Sequence, residues 1–183
     1  MTEEVIFAGF GGQGVLSMGQ VLTYAGMIEG KEVCWMPSYG PEMRGGTANC
    51  IVQVSDSPIS SPIIGRFDTV VALNQPSLEK FEKAVKPGGT LIYDSTNIID
   101  PPKRTDIEIV PIPASEEAVK MKNTKIMNMI VLGAFLAKRQ TVCFDSVLDA
   151  LRKVLPERHH HLLPLNESAL KRGAELAGIP AAA

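Results

Sequence analysis

Four glycines, Gly9, Gly11, Gly12 and Gly14 in the stretch GFGGQG, follow an apolar run and precede Val15-Leu16. Glycines at this spacing allow a tight turn, close approach of the backbone to an anion, and close packing of a helix on a strand. The chemistry on offer is binding of a phosphate or carboxylate by backbone N–H groups, aided by the positive end of a helix dipole. A nicotinamide or flavin dinucleotide is one candidate ligand, and a purely structural turn is the other reading. The dinucleotide fingerprint has a second half, an acid about 20 residues on at the end of the second strand, which takes the ribose hydroxyls. Here that strand runs out into Trp35-Met36-Pro37-Ser38, with no carboxylate and no arginine for a 2′-phosphate; Glu29 and Glu32 lie before it or at its beginning. Gln13 stands out, because a turn alone does not require it.

A second loop, PSYGPEMRGGTANC from Pro37 to Cys50, leaves the end of the second strand and should stand beside the glycine turn at the carboxyl edge of a sheet. Glu42 and Arg44 carry opposite charges on a segment restrained by glycine and proline. Gly45-Gly46 can adopt conformations closed to other residues and expose N–H groups, so with Arg44 they make a corner for an anion or an interface. The bland alternative is a solvated loop with an ion pair worth about 0 to 1 kcal/mol.

Periodicity supplies the elements that would hold these loops. Val5-Ile6-Phe7-Ala8 predicts a strand, and Val15, Met18, Leu22 and Ala25 a helix running to the stop at Gly30. Glu32 to Met36 predicts a second strand, completing a βαβ unit with a right-handed crossover. Pro37 to Gly46 is a loop, Thr47 to Val54 a third strand, and SDSPISSPIIG a surface connection. Asp68 to Leu73 is the next strand. Ser77 to Val85 predicts a helix, ended by Pro87-Gly88-Gly89 before the strand Thr90 to Tyr93. A short strand, Ile107 to Val110, and a short helix, Ser115 to Met121, follow.

The last third is helical. Ile126 to Leu136 is apolar around nearly its whole circumference and must be buried on more than one side, in the core or under a partner subunit. Met121, Met127 and Met129 fit the same seam as adaptable packing residues. Asp145 or Ser146 can cap the helix running to Leu155, and Asn166 the last one. Alternating strands and helices predict an α/β fold: a three-layer Rossmann-like domain with a mostly parallel sheet and a helical C-terminal third, a single domain over 1–183.

Bulk properties narrow the partners. A net charge of -2, with Lys and Arg spread along the chain, offers no basic field for nucleic acid. No apolar run is long enough to cross a bilayer, and the acidic start lacks the regions of a secretory signal, so a cytoplasmic location is expected. Cys34, Cys50 and Cys143 are odd in number and far apart, which fits reduced thiols and provides no ligand series for an iron–sulfur cluster. His159-His160-His161 has the look of a metal tract, but adjacent side chains on a helix cannot all face one ion, and a surface turn is the simpler reading.

GFGGQGVL at 9–16, SYGPEMRGG at 38–46, NQPSLEKF at 74–81, PGGTLIYDS at 87–95 and NESALKRGAELAG at 166–178 together resemble the gamma subunit of the 2-oxoacid:ferredoxin oxidoreductases. The resemblance spans nearly the whole chain. GPEMRGG is more similar to the 2-oxoglutarate and branched-chain group than to the indolepyruvate enzymes. Such enzymes oxidatively decarboxylate a 2-oxoacid such as pyruvate, ketoglutarate or ketoisovalerate, pass the acyl group to coenzyme A, and reduce ferredoxin. The resemblance places thiamine diphosphate, Mg and the iron–sulfur clusters in alpha, beta and delta partner subunits, with no cofactor and no catalytic residue in this chain. It implies a supporting role, with Gly11, Gly12, Gln13 and Gly14 as one wall of a functional edge and Tyr39, Glu42, Arg44, Gly45 and Gly46 as the other. Arg44 would then meet a coenzyme A phosphate or a partner's carboxylate. A free-standing NAD(P)-dependent dehydrogenase and a nucleotide-sensing regulatory domain are the alternatives.

Overall fold

A computed structural model describes residues 1–38 and 47–178. In chain order the elements are β1 (Thr2–Phe10), α1 (Val15–Ile28), β2 (Glu32–Ser38), β3 (Thr47–Ser55), β4 (Phe67–Ala72), α2 (Gln75–Phe81) and β5 (Val85–Asp94). There follow β6 (Glu108–Ile112), α3 (Ala114–Lys120), α4 (Met127–Arg139), α5 (Phe144–Val154) and α6 (Leu163–Leu176). The strands form one sheet in the order β2-β3-β1-β4-β5-β6. From β1 to β6 neighbours are parallel, whereas β3 is antiparallel to both β1 and β2. Helices lie on both faces, as the alternating pattern predicts.

Strand alternation decides what each face buries. On β3, Ala48, Cys50, Val52 and Val54 are all buried toward the face that carries α1, α4, α5 and α6, with Val5 and Phe7 of β1 beside them. Ile6, Val70, Ala72, Leu91 and Tyr93 face the other side, where α2 and the segment after β5 cover them. Apolar burial on both faces of β1, β4 and β5 explains why these central strands read as continuous apolar runs.

Every residue of α4 from Met127 to Leu136 is buried, and it is this chain's own elements that bury them. The helix lies against the sheet and crosses α6 at Gly133 and Gly173. A Cβ on Gly133 would collide with the Leu170 carbonyl, and one on Gly173 with the Ile130 carbonyl. The two backbones therefore touch, and the alternative of a partner subunit over this helix is not needed to account for its composition.

Several boundaries differ from the sequence expectation for definite reasons. β1 begins at Thr2, so the acids Glu3 and Glu4 are strand residues. Glu3 is fully buried and accepts from Arg139 Nε and Nη2 at 3.0 and 2.8 Å and from Thr69 Oγ1 at 2.6 Å. Burial pushes its carboxyl up from the ordinary range, against the pull of Arg139 and Thr69. Glu4 pairs with Lys86 at 2.7 Å. The helix expected over Ser77 to Val85 stops at Phe81 and a 3-10 turn at Glu82–Ala84, and Val85 opens β5. Pro87-Gly88-Gly89 thus lies inside that strand, where pairing with β4 shifts register between Phe67 and Thr69.

Neither Asp145 nor Ser146 caps α5; the cap position is Cys143, and Asp145 sits in the first turn, where a carboxylate favours the dipole. Nor does Asn166 cap α6. That helix starts at Leu163 with Pro164 in its first turn, and Asn166 Nδ2 donates within it to the Leu162 carbonyl at 2.9 Å. Among the described residues no helix is long and apolar enough to cross a membrane.

Candidate functional site

The carboxyl ends of β1, β4, β5 and β6 share one edge of the sheet, and the glycine turn lies on it. Gly9 is still in β1, paired with Ala48, so the turn proper is Gly11 to Gly14. Gly9 acts by close approach: a Cβ there would come within 2.7 Å of Gln13 Oε1 and 2.9 Å of Val15 Cγ2. Gly12 and Gly14 have φ of 90° and 75°, the left-handed region. Around Gly12 there is open space, whereas a Cβ on Gly14 would occupy the place of the Asn128 carboxamide.

Gln13 has a defined task. Its Oε1 accepts from Phe10 N at 2.6 Å, its Nε2 donates to the Leu73 carbonyl at 3.3 Å, and its own N donates to the Phe10 carbonyl at 3.2 Å. The side chain closes the turn over the end of β1 and ties it to the end of β4. Leu73 N donates in turn to the Ala8 carbonyl at 2.9 Å. Gly11 and Gly12 are left exposed on this scaffold.

Gly14 is the N-cap of α1, and among the described residues no side chain caps that helix end. Its carbonyl accepts from Met18 N at 3.1 Å and from Asn128 Nδ2 at 3.3 Å. Asn128 comes from the first turn of α4, so the beginnings of two helices meet at the turn. Asn74, next along the edge, caps α2 by accepting from Ser77 N at 2.8 Å. Sequence reasoning missed both asparagines. The usable signal for Asn128 was a lone polar residue in an otherwise apolar helix, and for Asn74 an Asx residue two positions before proline.

The second wall has its anchors at the same edge. Ser38 ends β2 opposite Asn49, and Thr47 opens β3 opposite Phe10, one residue from the turn. Tyr39, Glu42, Arg44, Gly45 and Gly46 lie outside the described residues. The sheet order bears directly on dinucleotide binding. Because β3 lies between β1 and β2, the end of β2 is two strand spacings, about 10 Å, from the turn. The place from which an acid would reach a ribose is therefore taken by Thr47, and no carboxylate ends β2.

Other chemistry-bearing groups are committed to structure. The buried Asp94 carboxylate at the end of β5 accepts from Thr96 N, Asn97 Nδ2, Ser115 N and Ser115 Oγ, at 2.5 to 3.3 Å. Cys34, Cys50 and Cys143 are free thiols, and burial pushes that of Cys50 up to about 12, which keeps it protonated and unreactive. His160 Nε2 is bonded to the Leu155 carbonyl at 2.9 Å, and among the described residues no three His, Cys, Asp or Glu side chains gather as metal ligands. The edge can offer backbone N–H groups and small exposed residues.

A family model described as pyruvate ferredoxin/flavodoxin oxidoreductase matches residues 4–176. The chain belongs to this family. It is 38% identical over 175 residues to the ketoisovalerate oxidoreductase subunit VorA of Methanothermobacter marburgensis, covering 95% of this chain and 36% of the relative. The chain thus spans about a third of that relative's length. The solved gamma subunit of a keto/oxoacid ferredoxin oxidoreductase from Geobacter sulfurreducens is similar with a TM-score of 0.82 and 28% identity, over 96% of this chain and 98% of that one. The 2-oxoglutarate:ferredoxin oxidoreductase of Magnetococcus marinus, solved with 2-oxoglutarate, coenzyme A and succinyl-CoA bound, is similar with a TM-score of 0.88 and 25% identity. It is covered over 99% of this chain and 33% of that one. The same unit therefore occurs in the family both as a separate subunit and as a third of a longer chain.

Proposed function

We propose that this chain, acting as one domain, is the gamma subunit of a multi-subunit 2-oxoacid:ferredoxin oxidoreductase in the cytoplasm. The enzyme would decarboxylate a 2-oxoacid oxidatively, transfer the acyl group to coenzyme A and reduce ferredoxin. Thiamine diphosphate, Mg and iron–sulfur clusters would reside in the alpha, beta and delta partners, and this chain would supply no catalytic residue. The observation that carries the proposal is the family match over 4–176, joined to a sheet edge that carries an exposed glycine turn.

In this reading the turn at Gly11, Gly12, Gln13 and Gly14 and the segment bearing Tyr39, Glu42, Arg44, Gly45 and Gly46 form one docking edge. Support comes from the strand ends: Thr47 is paired with Phe10 beside the turn, so residues 39–46 leave from and return to the same edge. Arg44 meets an anionic group there, a coenzyme A phosphate or a carboxylate of a partner subunit. A bidentate guanidinium suits either. The Magnetococcus marinus relative was solved with coenzyme A bound, which makes coenzyme A the first ligand to test.

The test is a titration of the purified chain and of the assembled complex with NAD(H), NADP(H), FAD and coenzyme A. No dinucleotide binding at micromolar concentration is expected, and such binding by the chain alone would contradict the proposal. In parallel, Arg44→Ala should lower turnover or complex yield while the subunit stays folded. Unchanged turnover and yield would remove Arg44 from the site.

A further inference from the structure

We infer that Asn128 is a positioning residue for this edge: it fixes the glycine turn and the start of α1 against the start of α4. The inference rests on the reading above that an anionic group is received at the turn. Asn128 is the one polar residue among the ten buried positions Met127 to Leu136. A buried carboxamide in an apolar helix costs stability unless its groups are bonded. Here both are: Nδ2 donates to the Gly14 carbonyl at 3.3 Å, and Oδ1 accepts from Met129 N at 3.0 Å.

The carbonyl it contacts is the one that opens α1, because Gly14 O also accepts from Met18 N at 3.1 Å. The direction of the first N–H groups of α1 is therefore set from outside the helix, by a residue 114 positions later in the chain. Contact is steric as well. The carboxamide fills the space that a Cβ on Gly14 would take, so it holds that residue in a conformation suited to glycine. Gln13 grips the turn from the β4 side and Asn128 from the α4 side, and the exposed Gly11-Gly12 peptide directly precedes these two held positions, Gln13 and Gly14, in the chain.

The test uses the assembled, active complex with Asn128→Ala and Asn128→Asp. The aspartate is nearly isosteric and favourable in the first turn of a helix, so it keeps α4 intact while removing the donor to Gly14 and adding a negative charge beside the turn. KM for coenzyme A should rise about fivefold to tenfold in Asn128→Ala and further in Asn128→Asp, with KM for the 2-oxoacid unchanged. If the anion is instead a partner's carboxylate, the same variants reduce recovery of the complex at unchanged KM for coenzyme A. Both results support positioning and tell the two sources apart. A fall in melting temperature with both KM values and the recovery unchanged would make Asn128 a packing residue only and overturn the inference. Arg44→Ala, measured alongside, separates the two levels. If it moves KM for coenzyme A or the recovery while the Asn128 variants do not, the inference fails and the edge stands; if none of them does, the edge itself falls.

Discussion

Gly14 and Gly12 share a left-handed backbone but differ in surroundings, and that difference can be measured. Alanine at either position pays about 1 to 2 kcal/mol for the left-handed conformation. Only at Gly14 must the new methyl also displace a buried, doubly bonded asparagine. Gly14→Ala should therefore be less stable than Gly12→Ala by about 1 kcal/mol or more in denaturant unfolding. Equal losses would mean that Asn128 yields freely. Gln13→Ala should cost about 1 kcal/mol, because the exposed Phe10 N–H can turn to water once its partner is gone. The glycine spacing could be read from the sequence because a backbone requirement is written locally. The roles of Gln13 and Asn128 could not, because their partners, Leu73 and Gly14, are 60 and 114 residues away. Glu3 and Glu4 were likewise passed over as strand residues, since Arg139 and Lys86, which make them tolerable in β1, come later in the chain.

At the level of elements, strands with strong β-branched runs and long periodic helices were legible, and their ends were less so. The insertion of β3 between β1 and β2 escaped because the period of a strand says nothing about its neighbour's direction. The contact of α4 with α6 is similarly hidden, although Gly133 and Gly173 mark it. Gly133→Ala or Gly173→Ala should lower stability by about 1 to 3 kcal/mol, seen as a fall in melting temperature, since backbone cannot move aside as a side chain can. A second hold on α6 comes from Glu117 of α3, which accepts from Lys120 Nζ at 2.7 Å and Arg172 Nε at 2.8 Å. The Lys120 bond first, and then that of Arg172, hold its carboxyl below the ordinary range. The unfolded chain then binds the proton more readily, so the stabilisation is complete above the ordinary glutamate value of about 4.3 and is lost as pH falls through the lower folded value. Glu117→Gln should flatten the decline in melting temperature between about pH 5 and 3. An unchanged pH profile would show that Glu117 contributes nothing there.

For the whole molecule, sequence and structure agree on a three-layer α/β fold whose carboxyl edge carries the glycine turn, and the chain belongs to the pyruvate ferredoxin/flavodoxin oxidoreductase family over residues 4–176. The same fold unit makes up nearly the whole of one similar chain and a third of another. The proposed role as a gamma subunit is tested most directly by isolating the protein under native, anaerobic conditions through a tag on this chain, then identifying its companions and their cofactors. The expected result is a complex with thiamine diphosphate-binding and iron–sulfur subunits that reduces ferredoxin only when a 2-oxoacid and coenzyme A are both supplied. A protein that emerges alone, with no such companions and no such activity in the remaining fractions, would contradict it.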